Sequence, residues 1–182
     1  MNAMGAAARK PDELLRLAVP RQSRLFTVVD AARAPLCPYQ AEQAGLEYQS
    51  LFSGDMGDRL KEVAPYLIDF PLDGPFKDWW FSQWNDSIGI LVETTATAFT
   101  LRKHFRTLLM VRDNTGKLCY FRFYDPRVLR AFLPACSKEE LERFFGPIIA
   151  FHCESDGGTA LITYRRTEDA LDVTTRPLAQ AK

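Results

Sequence analysis

Ile88-Gly89-Ile90-Leu91-Val92-Glu93 runs straight into Thr94-Thr95-Ala96-Thr97-Ala98-Phe99-Thr100-Leu101-Arg102-Lys103-His104-Phe105-Arg106, and the change of pattern across this junction decides the fold class. The first stretch is apolar without alternation and rich in branched side chains, which reads as a buried strand. The second reads as a helix from Thr94 to Arg106, with Phe99, Leu101 and Phe105 as its apolar stripe and basic residues beside it. Upstream, Leu25 to Val29, stopped by Asp30, is a second buried strand leaving into a loop at Ala31 to Pro38. Glu47 to Phe52, ending at Ser53-Gly54, is a short strand, and Asp55 to Val63 supplies a helical turn before Pro65. Pro65 to Phe70 is another short strand, bounded by Pro71, Asp73, Gly74 and Pro75.

Downstream the pattern turns to hairpins. Leu108 to Arg112 and Lys117 to Tyr124 flank Asp113-Asn114-Thr115-Gly116, whose Asn and Gly suit a tight left-handed turn. Asp125 caps a helix from Pro126 to Leu133, with proline at the first helical position where its missing N–H costs nothing. Ser137-Lys138-Glu139-Glu140 forms a capping box for a helix ending before Gly146-Pro147. Ile148 to Glu154 and Ala160 to Thr167 form a last hairpin about Ser155-Asp156-Gly157-Gly158. The expected fold is α/β (α+β): a mixed β-sheet of about five to seven strands flanked by helices, with a C-terminal β-hairpin. One domain is expected over residues 23–172. It follows a flexible N-terminal arm over 1–22, in which Pro11 to Ala18 forms two helical turns, and precedes a polar tail over 173–182.

Composition narrows the function. The 182 residues carry 23 basic and 23 acidic side chains, so no summed positive field draws in nucleic acid or an anionic membrane. Cys37, Cys119, Cys136 and Cys153 are dispersed without a C-x-x-C pair, and His104 and His152 are the only histidines. Neither a metal site nor a disulfide framework is expected, and no cofactor. No apolar run has the length of a signal peptide core or a membrane span, which leads to an expectation of a cytoplasmic protein. Catalytic templates fail in turn. There is no G-x-S-x-G elbow. Asn114-Thr115-Gly116-Lys117 feeds a strand and not the helix a phosphate cradle needs. His152 and Cys153 are strand neighbours facing opposite sides, so the chain is not expected to be an enzyme.

Two segments carry more specific information. Phe76-Lys77-Asp78-Trp79-Trp80-Phe81-Ser82-Gln83-Trp84 is a helix whose residues 76, 80 and 84 share one face with Trp79 at its edge. That face is either core or an exposed binding platform. Phe121-Arg122-Phe123-Tyr124-Asp125-Pro126-Arg127-Val128-Leu129-Arg130-Ala131-Phe132-Leu133-Pro134 sets charges inside an apolar strand-to-helix junction. Arg122 lies between Tyr120 and Tyr124 on one strand face and needs a carboxylate or carbonyl partner, for which Asp125 is a candidate.

Phe121 to Pro134, with the later Phe144-Phe145-Gly146-Pro147, resembles the signature of the type VI secretion effector chaperones, also called adaptors. The resemblance extends to Leu25 to Arg33, to Tyr48 to Gly54, to Val63-Ala64-Pro65-Tyr66-Leu67, and to Trp84 with the strand Ser87 to Val92. It implies a non-catalytic protein that binds a cognate toxic effector in the producing bacterium and helps load it onto the VgrG spike or its PAAR tip. Many members continue beyond the shared domain, whereas this chain ends at Lys182, so fewer partners are expected to be held at once. For such a role Trp79, Trp80 and Trp84 are candidate apolar anchors and Arg127 and Arg130 candidate polar contacts, because Trp and Arg dominate interface energies. Arg122, Tyr124, Asp125 and Pro126 are expected to set the fold. Exposed strand edges offer a second way to take up an effector segment. An immunity protein that neutralises a toxin by binding it, and a small-molecule enzyme with a cleft near Arg122, Asp125 and His152, are the alternatives.

Overall fold

The computed structural model describes residues 10–20, 22–113, 115–168 and 170–178. Along the chain it forms α1 (Pro11–Ala18), β1 (Arg24–Asp30), α2 (Cys37–Gln43), β2 (Tyr48–Ser50), α3 (Gly54–Arg59), β3 (Pro65–Asp69) and α4 (Pro75–Ser82). It continues through β4 (Gly89–Thr94), α5 (Ala98–Leu108), β5 (Met110–Arg112), β6 (Leu118–Tyr120), α6 (Pro126–Phe132), α7 (Lys138–Phe145), β7 (Ile148–Glu154), β8 (Ala160–Arg166) and β9 (Leu171–Pro177). Seven strands make one sheet in the order β2-β3-β1-β4-β7-β8-β9, and β5 with β6 make a separate ribbon. The α+β class, the flanking helices and the hairpin of β7 and β8 are those expected from the sequence. Where a mixed sheet was expected, every ladder is antiparallel. The long link from β4 to β7 re-enters the sheet at the end where β4 left it, whereas a βαβ crossover would carry the chain to the opposite end.

β1 and β4 lie at the centre, and every residue of β4 is buried. Their unbroken apolar runs reflect cover on both faces. The register sets Phe26 and Val28 beside Leu67, Ile90 and Val92 on one face, and Thr27 and Val29 beside Ile68 and Leu91 on the other. On the Thr27 face lies α4, whose Trp80 Nε1 donates to Thr27 Oγ1 at 3.1 Å. The opposite face is covered by α7, whose Phe144 and Phe145 rings meet Phe151 of β7 with centroids 5.2 and 5.1 Å away. Phe105 of α5 stacks on Phe123, which in turn meets Phe144. Gly89 lies where β4 comes closest to β1: a Cβ there would stand 2.2 Å from the Val28 carbonyl oxygen. Only glycine permits that approach.

Four expectations need correction. Pro11 to Ala18 forms the expected helical turns, but it is docked and not loose: Leu14, Leu15 and Ala18 are buried, and Arg165 donates to the Ala18 carbonyl at 2.8 Å. Residues 171–177, most of which were read as polar tail, pair along the whole of β8. Edge strands carry polar side chains, so composition alone cannot separate β9 from a tail. The loop expected over Ala31 to Pro38 ends early, because Cys37–Gln43 is helical, with Pro38 in its first turn and Cys37 and Ala41 buried. The strand expected over Lys117 to Tyr124 stops at Tyr120, because Asp125 N–H bonds the Arg122 carbonyl in a turn. Residues 1–9, Arg21, Asn114, Asp169 and residues 179–182, which include parts of the expected arm, hairpin turn and tail, lie outside the described residues.

Candidate partner-binding site

The aromatic helix is chiefly core. Phe76 and Trp80 are buried, and Trp80 is ringed by Phe70, Phe81 and Trp84. The indole N–H of Trp80 is spent on Thr27, so this residue is removed from the set of surface anchors. Trp79 and Trp84 are half-buried and packed against the same core. The Trp84 indole donates to the Gly158 carbonyl at 2.8 Å, which ties α4 to the turn between β7 and β8.

At the strand-to-helix junction Asp125 is buried and its side chain accepts from the Arg127 backbone N–H, as an N-cap should. Its carboxylate also takes the Arg127 guanidinium, Nη2 to Oδ2 at 2.6 Å. Burial alone would raise the Asp125 pKa, but the Arg127 bonds outweigh it and hold the carboxyl below its usual range. Pro126 occupies the first helical position. Arg130 reaches the other way, donating to the Glu154 carbonyl at 2.8 Å. The partner expected for Arg122 was Asp125; the structure gives it Asp30 instead, with Nη1 3.9 Å from Oδ2. The turn at residues 122–125 rotates Arg122 outward, while Tyr124 folds in beneath it and its hydroxyl meets that of Tyr120 at 3.0 Å. Asp30, Phe52, Leu60, Tyr120, Arg122 and Tyr124 line a cavity of about 270 Å³.

A larger groove also runs along the β5–β6 ribbon. Apolar residues of the ribbon stand in solvent: Met110 is 42% exposed and Leu118 52%. Between the ribbon, the end of α5, α6 and α7 is a space of about 540 Å³ floored by Leu108, Met110, Phe121, Phe132 and Phe144. Thr107 also lines a second depression of about 350 Å³ along α5, together with Phe99, Arg102, Lys103 and Arg106. Phe99 is 76% exposed, which corrects its place in the buried stripe of α5. At about 100° per residue it lies some 200° from Leu101, on the opposite face, so the misreading was detectable from the spacing.

The remaining candidate for chemistry, His152, is wholly buried. Its Nδ1 lies 2.9 Å from Thr163 Oγ1, and its Nε2 lies 3.7 Å from Glu93 Oε2. Glu93 is held by Ser23 and by two nitrogens of Arg165. Burial pushes the His152 pKa down, with Arg165 and Arg176 adding to the effect and Glu93 opposing it. Both His152 and Glu93 are buried, and among the described residues no hydrogen bond or ion pair joins them to Arg122 or Asp125. Among the described residues no group of three or more His, Cys, Asp and Glu is placed to hold a metal ion. No helix there is long and apolar enough to cross a membrane.

A family model described as a domain of unknown function, DUF4123, matches residues 25–143 of the 182. The chain belongs to this family. Searches of curated proteins and of solved structures found no match. The DUF4123 region begins in β1 and ends within α7, so it contains the Asp30 cavity, the ribbon and nearly all of the groove. DUF4123 is associated with adaptors of type VI secretion effectors, a chaperone-like role and not a catalytic one. Sequence reasoning placed the anchors on α4. The groove residues escaped it because they come together from α5, the ribbon, α6 and α7 only in the folded chain. The one local sign was the pair Met110-Val111, two apolar residues in succession on a strand with no covering helix.

Proposed function

We propose that this chain is a type VI secretion effector adaptor that acts in the cytoplasm of the producing cell. It binds a segment of a cognate toxic effector and helps load it onto the VgrG spike or its PAAR tip, without catalysis. The observation that carries this reading is the apolar groove beside the exposed β5–β6 ribbon, within the region that defines DUF4123 membership. An effector segment with apolar side chains gains by leaving water there, at about 25 cal/mol per Å² of apolar area. The open edges of the ribbon add backbone hydrogen-bonding sites. Of the residues expected to touch a partner, Arg127, with a side chain 55% exposed, and the half-buried Trp79 and Trp84 remain proposed secondary contacts. Arg130 is proposed to act indirectly, by holding the β7–β8 turn.

The test is co-purification of the tagged chain with the toxin encoded beside it, with and without VgrG, using wild type and the groove variants Met110→Glu and Val111→Glu. Both substitutions lie on exposed positions, and circular dichroism checks the fold. Loss of the toxin from the variants alone, with retention of VgrG-dependent loading by wild type, is the expected result. If wild type neutralises the toxin's activity in a purified assay and makes no complex with VgrG or PAAR, the chain is an immunity protein and the adaptor reading fails.

A further inference from the structure

The groove has a charge as well as a shape. Five cations line the two depressions that meet at Thr107: Arg102, Lys103, Arg106, Arg112 and Arg143. The single carboxylate among them belongs to Glu140, and it already accepts the Ser137 backbone N–H at 2.8 Å to close the capping box of α7. Among the described residues none of the five cations forms an ion pair with a carboxylate. Arg102 donates to the Ser50 carbonyl, Arg106 to the Ser53 hydroxyl and Arg112 to the Gly116 carbonyl. In a chain with 23 basic and 23 acidic residues, this is local segregation of charge, with the balancing acids elsewhere.

We infer that the groove takes an acidic, amphipathic segment of the bound protein, its apolar side chains on the aromatic floor and its Asp and Glu carboxylates against the basic rim. This rests on the adaptor reading for the partner's identity, but not for its chemistry. The apolar floor favours polypeptide over nucleic acid, because a phosphate backbone would engage the rim and leave Leu108, Met110, Phe121, Phe132 and Phe144 uncovered. The bonds from Arg102 and Arg106 to the Ser50–Ser53 loop hold these guanidinium groups at the rim, so less side-chain entropy is lost when a carboxylate arrives. Along α5 the lining runs from Phe99 to Leu108, roughly 14 Å at 1.5 Å per residue. That length matches about two and a half turns of helix or about four residues of strand.

The test uses the purified full chain and three fluorescent probes: an amphipathic peptide of about a dozen residues built from Leu and Glu, its counterpart with Lys in place of every Glu, and a short DNA duplex. Binding is followed by anisotropy at low and physiological salt. The acidic peptide is expected to bind more tightly than the basic one by about tenfold or more, to weaken with salt, and to lose that advantage in Arg112→Glu/Arg143→Glu. The neutral pair Arg112→Ser/Arg143→Ser, checked by thermal melting, gives the same ordering with a smaller loss and guards against misfolding of the reversed variant. Equal binding of the two peptides, tighter binding of the duplex, or no binding of the acidic peptide overturns the inference. The two proposals fail separately. A charge-reversed variant that still co-purifies its toxin in full removes the charge assignment and leaves the adaptor standing, whereas acidic-peptide binding without any toxin complex does the reverse.

Discussion

Replacing His152 with Gln is expected to flatten the acid side of the stability profile by an amount that follows from burial. His152 has no solvent exposure and its pKa lies below the ordinary 6.5. The groups that face it are Glu93, Thr163, Arg165 and Arg176; burial and the two arginines disfavour the imidazolium, and Glu93 offsets them only in part. The unfolded chain therefore takes up a proton near pH 6.5 that the folded chain refuses. With the folded pKa depressed, stability is fully present above the unfolded value and falls as pH drops towards the folded one. Each unit of that window costs about 1.4 kcal/mol. Integrated from about pH 7.5 to about pH 5.5, wild type should lose up to about 1.4 kcal/mol through this residue. Glu93, also lowered, begins to lose its contribution only below its ordinary 4.5, outside that range. Urea unfolding at both pH values, extrapolated to water, measures the loss for wild type and for His152→Gln. The comparison uses slopes, so a general destabilisation of the variant does not obscure it. Parallel profiles for the two proteins would refute the reasoning, because they would mean that His152 takes up its proton in the native state as readily as in the unfolded chain.

Three further predictions concern the frame around the groove. Gly89→Ala should destabilise by several kcal/mol or abolish soluble expression, since its Cβ would meet the Val28 carbonyl oxygen at 2.2 Å; thermal melting or yield decides, and a near-normal melting temperature would contradict it. Ser137→Ala should cost about 1 kcal/mol in denaturant unfolding, because it removes the hydroxyl that accepts the Glu140 N–H at the start of α7. Asp30 works in the opposite sense to His152. Burial raises its pKa despite the Ala32 N–H and Arg122, so the native carboxylate carries a penalty at neutral pH that fades as pH falls through the folded value. Asp30→Asn keeps an oxygen for Ala32 and removes the charge, so stability at pH 7 should be unchanged or higher, and a clear loss would show that the Arg122 pair is worth more than its 3.9 Å separation implies.

What could be read in advance was local. Ser137 with Glu140 and Asp125 with Pro126 mark helix starts through groups a few residues apart, and both caps are found where they were expected. The buried strands at residues 25–29 and 88–93 were legible because a strand covered on both faces needs no alternation. Strand order was not, since β1 lies between β3 and β4 and β4 beside β7 by virtue of contacts that no short window contains. The site suffered in the same way. Trp80 has the residue type of an anchor, but its partner Thr27 belongs to a distant strand and draws it inward. Arg122 was expected to draw on Asp125, but its side chain is exposed and the nearer Asp125 is claimed by Arg127, leaving Asp30 at 3.9 Å as its neighbour. The cations of the groove come from three elements, α5, β5 and α7, and the balanced total charge concealed them.

The position of β7 bears on when the protein becomes competent during its own synthesis. β4 acquires its second neighbour only when Ile148–Glu154 has been made, and α5, the ribbon, α6 and α7 all lie in the chain between those two strands. The groove is thus suspended in a loop that stays open until its closing strand leaves the ribosome, with loop closure deferred to the last third of translation. A nascent chain would expose the aromatic residues of the groove without the geometry to select a ligand. Ribosome-bound chains stalled before residue 148 are therefore expected to be the species most in need of protection by general chaperones, and those released after β7 has paired the first able to offer protection to another protein.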